Sequence, residues 1–281
     1  MNITHAIIPV AGYGTRRLPI AKAVEKCLLP VLNRPIIDYT IQDCIKAGIT
    51  TIIVVISEGQ GGQFKQYYGH DRHLEGYLEA NNKQQYLDMV QPPKGVHFEY
   101  VVQPRSAPYG TATPVALARH LVPKGRSAVV LMGDDMVYGE RNVNPIAELV
   151  NEAGDAAAAL TVKVPRHDVS QYGVLDVSKD GSLKHIVEKP RPDEAPSTMI
   201  NISKYVFTSD LLDEVVKFYK EPPLPGREKY VTAEPLERYM SRGNKIKVVT
   251  AKGTYLDTGT VEKWLYANNF VAQREKLART R

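Results

Sequence analysis

Apolar residues come along this chain in short blocks, and the spacing inside each block tells which element it builds. Residues 5–10 are a mostly apolar run with two isoleucines and a valine, 51–56 is a β-branched run, and 127–132 is a third apolar block that ends at Gly133-Asp134-Asp135. Runs this short, without strict alternation, read as strands buried on both faces of a sheet. Residues 36–47 instead carry apolar side chains at helical spacing and stop at Gly48, a natural helix terminator. A strand over 97–103, a loop over 104–110 and a helix over 112–121 complete the pattern of the first half. Residues 61–90 are polar, tyrosine-rich and helical in pattern.

The second half has strands predicted over 156–164, 173–177, 183–188 and 199–207. Helices at 209–219 and 231–242, a strand at 246–251 and a closing helix at 261–275 follow. Strands alternating with helices predict an α/β fold with a Rossmann-like doubly wound sheet, mixed and mainly parallel, flanked by helices. No internal repeat interrupts it, and the proline-rich 221–225 is too short to separate domains. One domain over 1–281 is expected, with halves at 1–135 and 136–260 and a C-terminal helix over 261–281. No hexapeptide repeat of a β-helix follows.

Composition narrows the class. With 43% hydrophobic and 24% charged residues, the chain can bury a real core. No apolar run approaches the length of a bilayer span, and the N-terminus lacks a secretory apolar region with a cleavage site, so a cytoplasmic protein is expected. Two cysteines, Cys27 and Cys44, are too few for a disulfide framework or a structural zinc site; Cys27 is expected to be a core thiol. The net charge of +5 is scattered without an aromatic-interleaved patch. Phosphorylated small molecules therefore explain it as well as nucleic acid does. The basic 274–281 reads as a solvated helix end. No His-Glu-x-x-His or Gly-x-Ser-x-Gly string occurs, which makes metalloprotease and hydrolase readings poor.

The chemistry concentrates where the first strand runs into Ala11-Gly12-Tyr13-Gly14-Thr15-Arg16-Arg17. Two glycines one residue apart allow a sharp turn and let an anion lie on bare backbone N–H groups. Arg16, Arg17, Lys22 and Lys26 add fixed positive charge. A dinucleotide fingerprint would need a third glycine where Arg17 stands, and a Walker A loop would end in Gly-Lys-Ser/Thr, so neither fits. On glycine spacing alone, a tight strand-to-helix turn with a solvated basic flank is an equal reading.

The longer string decides more. Ala11-Gly12-Tyr13-Gly14-Thr15-Arg16, continued by Lys26-Cys27-Leu28-Leu29-Pro30 and Arg34-Pro35, resembles the signature of the sugar-1-phosphate nucleotidyltransferases. These enzymes join a nucleoside triphosphate to a sugar phosphate and release pyrophosphate. The run Ile45-Lys46-Ala47-Gly48-Ile49-Thr50 and the helix-like insertion over 71–90 look like the bacterial uridylyltransferase branch. That branch makes UDP-glucose from UTP and glucose-1-phosphate. The resemblance implies the nucleotide-diphospho-sugar transferase type of fold, with nucleotide bound by 1–135 and sugar phosphate by 136–260. It also implies Mg²⁺, a homodimer or homotetramer, and no nucleic-acid or membrane partner.

Residue by residue, the resemblance makes Arg16 and Lys26 catalytic and gives Ala11, Gly12, Gly14 and Thr15 to the nucleotide phosphates. Asp134 ends a predicted strand, where a carboxylate suits Mg²⁺; Asp135 beside it is expected to point the other way. Asp257, in Tyr255-Leu256-Asp257-Thr258-Gly259-Thr260, would be the second metal ligand, although 257–260 also reads as a helix N-cap. Gln103 can read a base edge through its amide, and Gly110 would let backbone approach base or ribose. In the sugar half the matching residues are Gly173 of Tyr172-Gly173-Val174, and Glu188 and Lys189 of Val187-Glu188-Lys189-Pro190. Glu188 would accept from hydroxyls and Lys189 would hold a phosphate.

Three departures stand out. The loop over 106–112 differs from the family's Gly-Leu-Gly-His/Gln-Ala, Ala233 stands where an aspartate is usual with Glu234 beside it, and Ser203 replaces a glycine. The string at 255–260 matches the thymidylyltransferase form slightly better, so dTTP stays open as the nucleotide. A catalytically silent regulatory protein on the same fold is the reading from another class. A nicotinamide-dependent oxidoreductase ranks last for want of the third glycine.

Overall fold

The computed structural model describes residues 3–139, 143–222, 228–232 and 234–279, the last four by backbone alone. Strand β1 (His5–Pro9) runs into the glycine turn. A short hairpin, β2 (Pro30–Val31) and β3 (Arg34–Pro35), then leads to α1 (Ile36–Lys46) and β4 (Thr51–Ser57). The 61–90 segment folds as three short helices, α2 (Gly62–Tyr67), α3 (Arg72–Ala80) and α4 (Leu87–Val90). Asp71 separates the first two by capping α3, its Oδ1 accepting from the Leu74 N–H at 3.0 Å. Then come β5 (His97–Gln103), α5 (Ala112–Ala118), β6 (Ala128–Leu131), β7 (Asp135–Tyr138), α6 (Pro145–Ala153) and β8 (Ala157–Lys163). The remainder is β9 (Gly173–Val177), β10 (Leu183–Glu188), β11 (Met199–Phe207), α7 (Ser209–Lys220), α8 (Glu234–Ser241), β12 (Ile246–Thr250), β13 (Thr254–Asp257) and α9 (Val261–Arg279).

The main sheet runs β10-β9-β11-β6-β1-β4-β5, with β8 also on β11 and β12 on β8. Strands β6, β1, β4 and β5 are parallel neighbours, and β11 joins β6 antiparallel, Lys204 opposite Leu131. The sheet is therefore mixed, its parallel half built from the N-terminal strands. Apolar strands feed two cores by simple alternation. Ile7, Ile53, Val55 and Val130 face the side covered by α5, α7 and α8. Ala6, Ile8, Ile52, Val54 and Val129 face the side covered by α1 and α6. Helix α9 closes a third, smaller core over β7 and β13 through Ala267 and Val271, against Met136 and Leu256.

Most expected elements lie within a residue or two of their positions, and the misses have physical causes. Strands β7 and β13 have only four residues each and pair with one another, Asp257 opposite Asp135, so no apolar block announces them. Helix α6 carried a legible signal: Asn144 Oδ1 accepts from the Ile146 and Ala147 N–H groups at 2.9 Å each, with Pro145 in the first turn. Helix α8 begins at Glu234 rather than 231; residues 231–232 form a turn, and Val231 donates its N–H to Thr111 Oγ1. Ser203 has φ 51° at the irregularity of β11 between Asn201 and Tyr205, a backbone that glycine adopts without strain. Its N–H donates to Asn201 Oδ1 at 3.0 Å. Ala233 lies outside the described residues, as do 223–225 of the expected proline-rich loop and the last two residues of the basic tail.

Candidate active site

Chain order reverses at β1: β4 and β5 lie to one side and β6 to the other. The carboxyl ends of β1 and β6 therefore flank the crevice where open α/β sheets collect ligands. The glycine turn leaves β1 there. Gly14 takes φ 62°, which a side chain resists, and its carbonyl accepts from the Arg17 N–H to start a short 3₁₀ turn, Thr15–Arg17. A later 3₁₀ turn, Lys26–Leu28, aims Lys26 back across the crevice. Its Nζ donates to Asp134 Oδ2 at 2.6 Å, and a Cβ on Gly12 would stand 3.5 Å from the same nitrogen.

Burial would pull the Lys26 pKa down, but the charge of Asp134 outweighs it and holds the ammonium form well above its usual range. Burial works against the Asp134 carboxylate too, yet Lys26 keeps its pKa below normal. Cys27 is buried, and burial pushes its thiol pKa up despite Lys26; it is a core thiol with no reactive character.

Asp134 and Asp135 diverge. Asp135 pairs with buried Lys204 and accepts from Tyr255 Oη at 2.8 Å, on the side away from Lys26. The β7–β13 ladder brings Asp257 to the same end of the molecule. Its Oδ2 accepts from Lys263 Nζ at 2.5 Å and from Tyr172 Oη at 3.4 Å, and its Oδ1 from the Gly259 N–H at 2.8 Å. Thr258 Oγ1 donates to the Asp134 carbonyl, so one turn stitches the two acids together. Arg16 reaches this turn: a Cβ on Gly259 would lie 3.4 Å from its Nη1. Thr260, not Asp257, caps α9, its Oγ1 accepting from the Lys263 N–H.

Gly12, Gly14, Thr15, Arg16, Lys26 and Asp134 line one cleft together with Arg17, Thr258 and Gly259. A neighbouring pocket is lined by Ala11, Gly12, Lys26, Gln103, Tyr109, Gly110 and Tyr230. The Ala11 carbonyl accepts from Ser57 Oγ at 2.6 Å, which fixes the start of the turn. Gln103 Oε1 is buried without a hydrogen-bond partner. Gly110, at φ 128°, uses its missing side chain to admit another segment: a Cβ there would overlap the Lys229 carbonyl oxygen. That segment is held by Lys229 N–H to Tyr109 O at 2.7 Å and Ala112 N–H to Lys229 O at 2.8 Å.

In the C-terminal half, Gly173 is buried under Glu188, whose Oε2 would be 2.9 Å from a Cβ on the glycine. Lys189 takes φ 46° and donates its N–H to the Tyr172 carbonyl at 3.0 Å; Glu188 and Lys189 are both exposed. Tyr172 links this edge to the acids, since its Oη also accepts from Lys263 Nζ at 3.0 Å. Glu234, beside the missing acid, pairs with Arg238 within α8. Sequence reading passed over Lys263. A lysine in the first turn of a helix opposes the macrodipole, and that misfit was the available clue.

Residues 5–274 match the family model for nucleotidyl transferases. The chain is 35% identical over 223 residues to a UTP–glucose-1-phosphate uridylyltransferase of Komagataeibacter xylinus, covering 76% of each chain. It is 30% identical to a putative UTP–glucose-1-phosphate uridylyltransferase of Methanocaldococcus jannaschii, covering 95% of this chain and 92% of that protein. In three dimensions it is similar to a UTP-bound UGPase from Acinetobacter baumannii, with TM-score 0.84 and 26% identity over 96% of this chain and 93% of that one.

Proposed function

The chain belongs to the nucleotidyl transferase family, and from that premise we propose that it makes UDP-glucose and pyrophosphate from UTP and glucose-1-phosphate. The observation that carries this reading is the Lys26–Asp134 pair at the crevice under the glycine turn, in a chain whose relatives bear that activity in their names.

An oxygen of the sugar phosphate attacks the α-phosphorus in line. The new P–O bond forms as the bond to the α,β-bridging oxygen breaks, and that electron pair leaves with pyrophosphate. Such a transfer needs no covalent nucleophile; it needs placement and neutralised charge. Arg16 and Lys26 hold the triphosphate and the charge that develops on it, over the backbone of Ala11, Gly12, Gly14 and Thr15. The unfilled Gln103 Oε1 suits the imide N–H of a uracil ring, and Gly110 keeps the loop beside it close. Lys189 holds the attacking phosphate, and Glu188 accepts from sugar hydroxyls above Gly173.

Asp134 and Asp257 offer only carboxylate oxygens. Among the described residues no group of three or more His, Cys, Asp or Glu is placed to hold a metal. This donor set fits Mg²⁺, which binds through one or two carboxylates and completes its shell with water and substrate phosphates. When bound there, Mg²⁺ supplies charge neutralisation across the phosphate oxygens. Lys26 and Lys263 donate to the same two carboxylates and would balance their charge beside the bound ion and phosphates. The reading includes a cytoplasmic enzyme acting as a homodimer or homotetramer, supported by the family resemblance. Among the described residues no helix is long and apolar enough to cross a membrane.

Labelled substrate tests the chemistry. Glucose-1-phosphate carrying ¹⁸O in its phosphate, incubated with UTP and Mg²⁺, should give UDP-glucose that retains all the label and pyrophosphate that has none. Label in pyrophosphate, or no UDP-glucose, would overturn the reading.

A further inference from the structure

Arg17 closes the 3₁₀ turn behind Gly14 and is only 4% exposed, which is rare for a guanidinium outside a tight ion pair. Its Nε has no hydrogen-bond partner, and its Cζ stands 5.7 Å from the centre of the Trp264 ring. A buried cation with an unfilled donor is costly unless an acceptor comes to meet it. Burial lowers its pKa, with Asp134 and Asp257 opposing that effect. Arg17 therefore stands near both acids while each acid's short contact goes to a lysine.

The cleft it lines holds three cations, Arg16, Arg17 and Lys26, against one carboxylate, Asp134. That balance suits an anion of more than one charge. Arg17 lies at the far end of the glycine turn from β1, beyond Gly14 and Thr15, whereas Lys189 and Glu188 lie across Asp257 beside Tyr172. A nucleotide whose base sits by Gln103 and whose phosphates follow the turn would bring its terminal phosphates, not its α-phosphate or its sugar partner, to Arg17.

We propose that Arg17 is a binding residue for the pyrophosphate portion of the nucleotide. It holds the β- and γ-phosphoryl groups before transfer and free pyrophosphate after it, and so selects triphosphates over shorter nucleotides. This rests on the uridylyltransferase reading and deepens it. A guanidinium fork matches paired phosphate oxygens, and Arg17 lines the cleft into which those oxygens would come.

Calorimetric titration of wild type, Arg17→Met and Arg17→Lys with inorganic pyrophosphate, UTP, UMP and UDP-glucose tests it, alongside thermal unfolding of each protein. Arg17→Met should weaken pyrophosphate and UTP by about tenfold or more, the loss of a charge-assisted contact. UMP and UDP-glucose, which lack the leaving group, should be unchanged, and the unliganded protein should unfold no earlier than wild type. Arg17→Lys keeps the charge and loses the fork, so the same selective pattern at smaller size is expected. Parallel weakening of all four ligands with a lower Tm would overturn the proposal and leave Arg17 as a clamp on Trp264. Unchanged binding of all four would overturn it too. Wild type that binds pyrophosphate through Arg17 but neither UTP nor UDP-glucose would support the Arg17 site while overturning the uridylyltransferase reading.

Discussion

Asp134 and Asp135 are neighbours in sequence and do opposite work. Asp134 opens onto the cleft with Lys26 at 2.6 Å, while Asp135 is buried against Lys204 and Tyr255. The two variants Lys26→Ala and Lys204→Met should therefore fail differently. Losing Lys26 removes a partner of developing charge, and kcat should fall about 10²–10³-fold with little change in unfolding. Losing Lys204 strands a carboxylate in the interior. Urea unfolding should then register a loss of about 3–5 kcal/mol, most of it recovered when Asp135→Asn is added. The divergence of the two aspartates was legible as alternation along an extended chain, although the bend that holds Asp134 between β6 and β7 was not. The roles of Lys263 and Arg17 were not, because Tyr172 reaches Lys263 from 91 residues away and Trp264 reaches Arg17 from the far end of the chain.

Among elements, the loop before α5 shows how a departure from the family pattern is accommodated. Gly110 makes room for the Lys229 backbone, and buried Lys229 in turn donates from Nζ to the Phe218 carbonyl at 2.8 Å. Gly110→Ala meets both a steric clash and a backbone that L side chains resist, a strain of about 2 kcal/mol or more. Its KM for UTP should rise more than its KM for glucose-1-phosphate; equal effects would separate this loop from the nucleotide. Helix α1 carries a different strain. Burial pushes the Asp43 carboxyl up to about 6, against the pull of Lys46, Lys204 and Arg34. Its folded pKa lies above the unfolded value near 4, so the folded state binds the extra proton between those values. Stability from this residue thus falls as pH rises from about 4 to 6 and stays reduced above. Asp43→Asn should be more stable than wild type by about 1–2 kcal/mol at pH 7.5, with the difference fading by pH 4. Unfolding midpoints across that range check it. Strands with apolar cores and helices with apolar stripes were legible at this scale. The four-residue strands β7 and β13 were not, since each is too short to form an apolar block and only the fold supplies its partner.

For the whole molecule, the parallel half and the antiparallel half meet where β11 lies against β6, and Asp134 of the cleft follows β6 in the chain. Doubly wound order and its switch point follow from β1, β4 and β6 being buried apolar runs separated by helices, so the location of the crevice could be read from sequence. How the second half folds across it could not, because β11 pairs with strands on both sides and bends at Ser203. The central claim concerns what that crevice joins. Pyrophosphate release should be measured with Mg²⁺ and glucose-1-phosphate against UTP, dTTP, CTP, ATP and GTP in parallel. Strong release with UTP and little with the others is expected. Preference for dTTP would contradict UTP as the nucleotide, and silence with all five would contradict the assignment of this crevice to nucleotidyl transfer to glucose-1-phosphate.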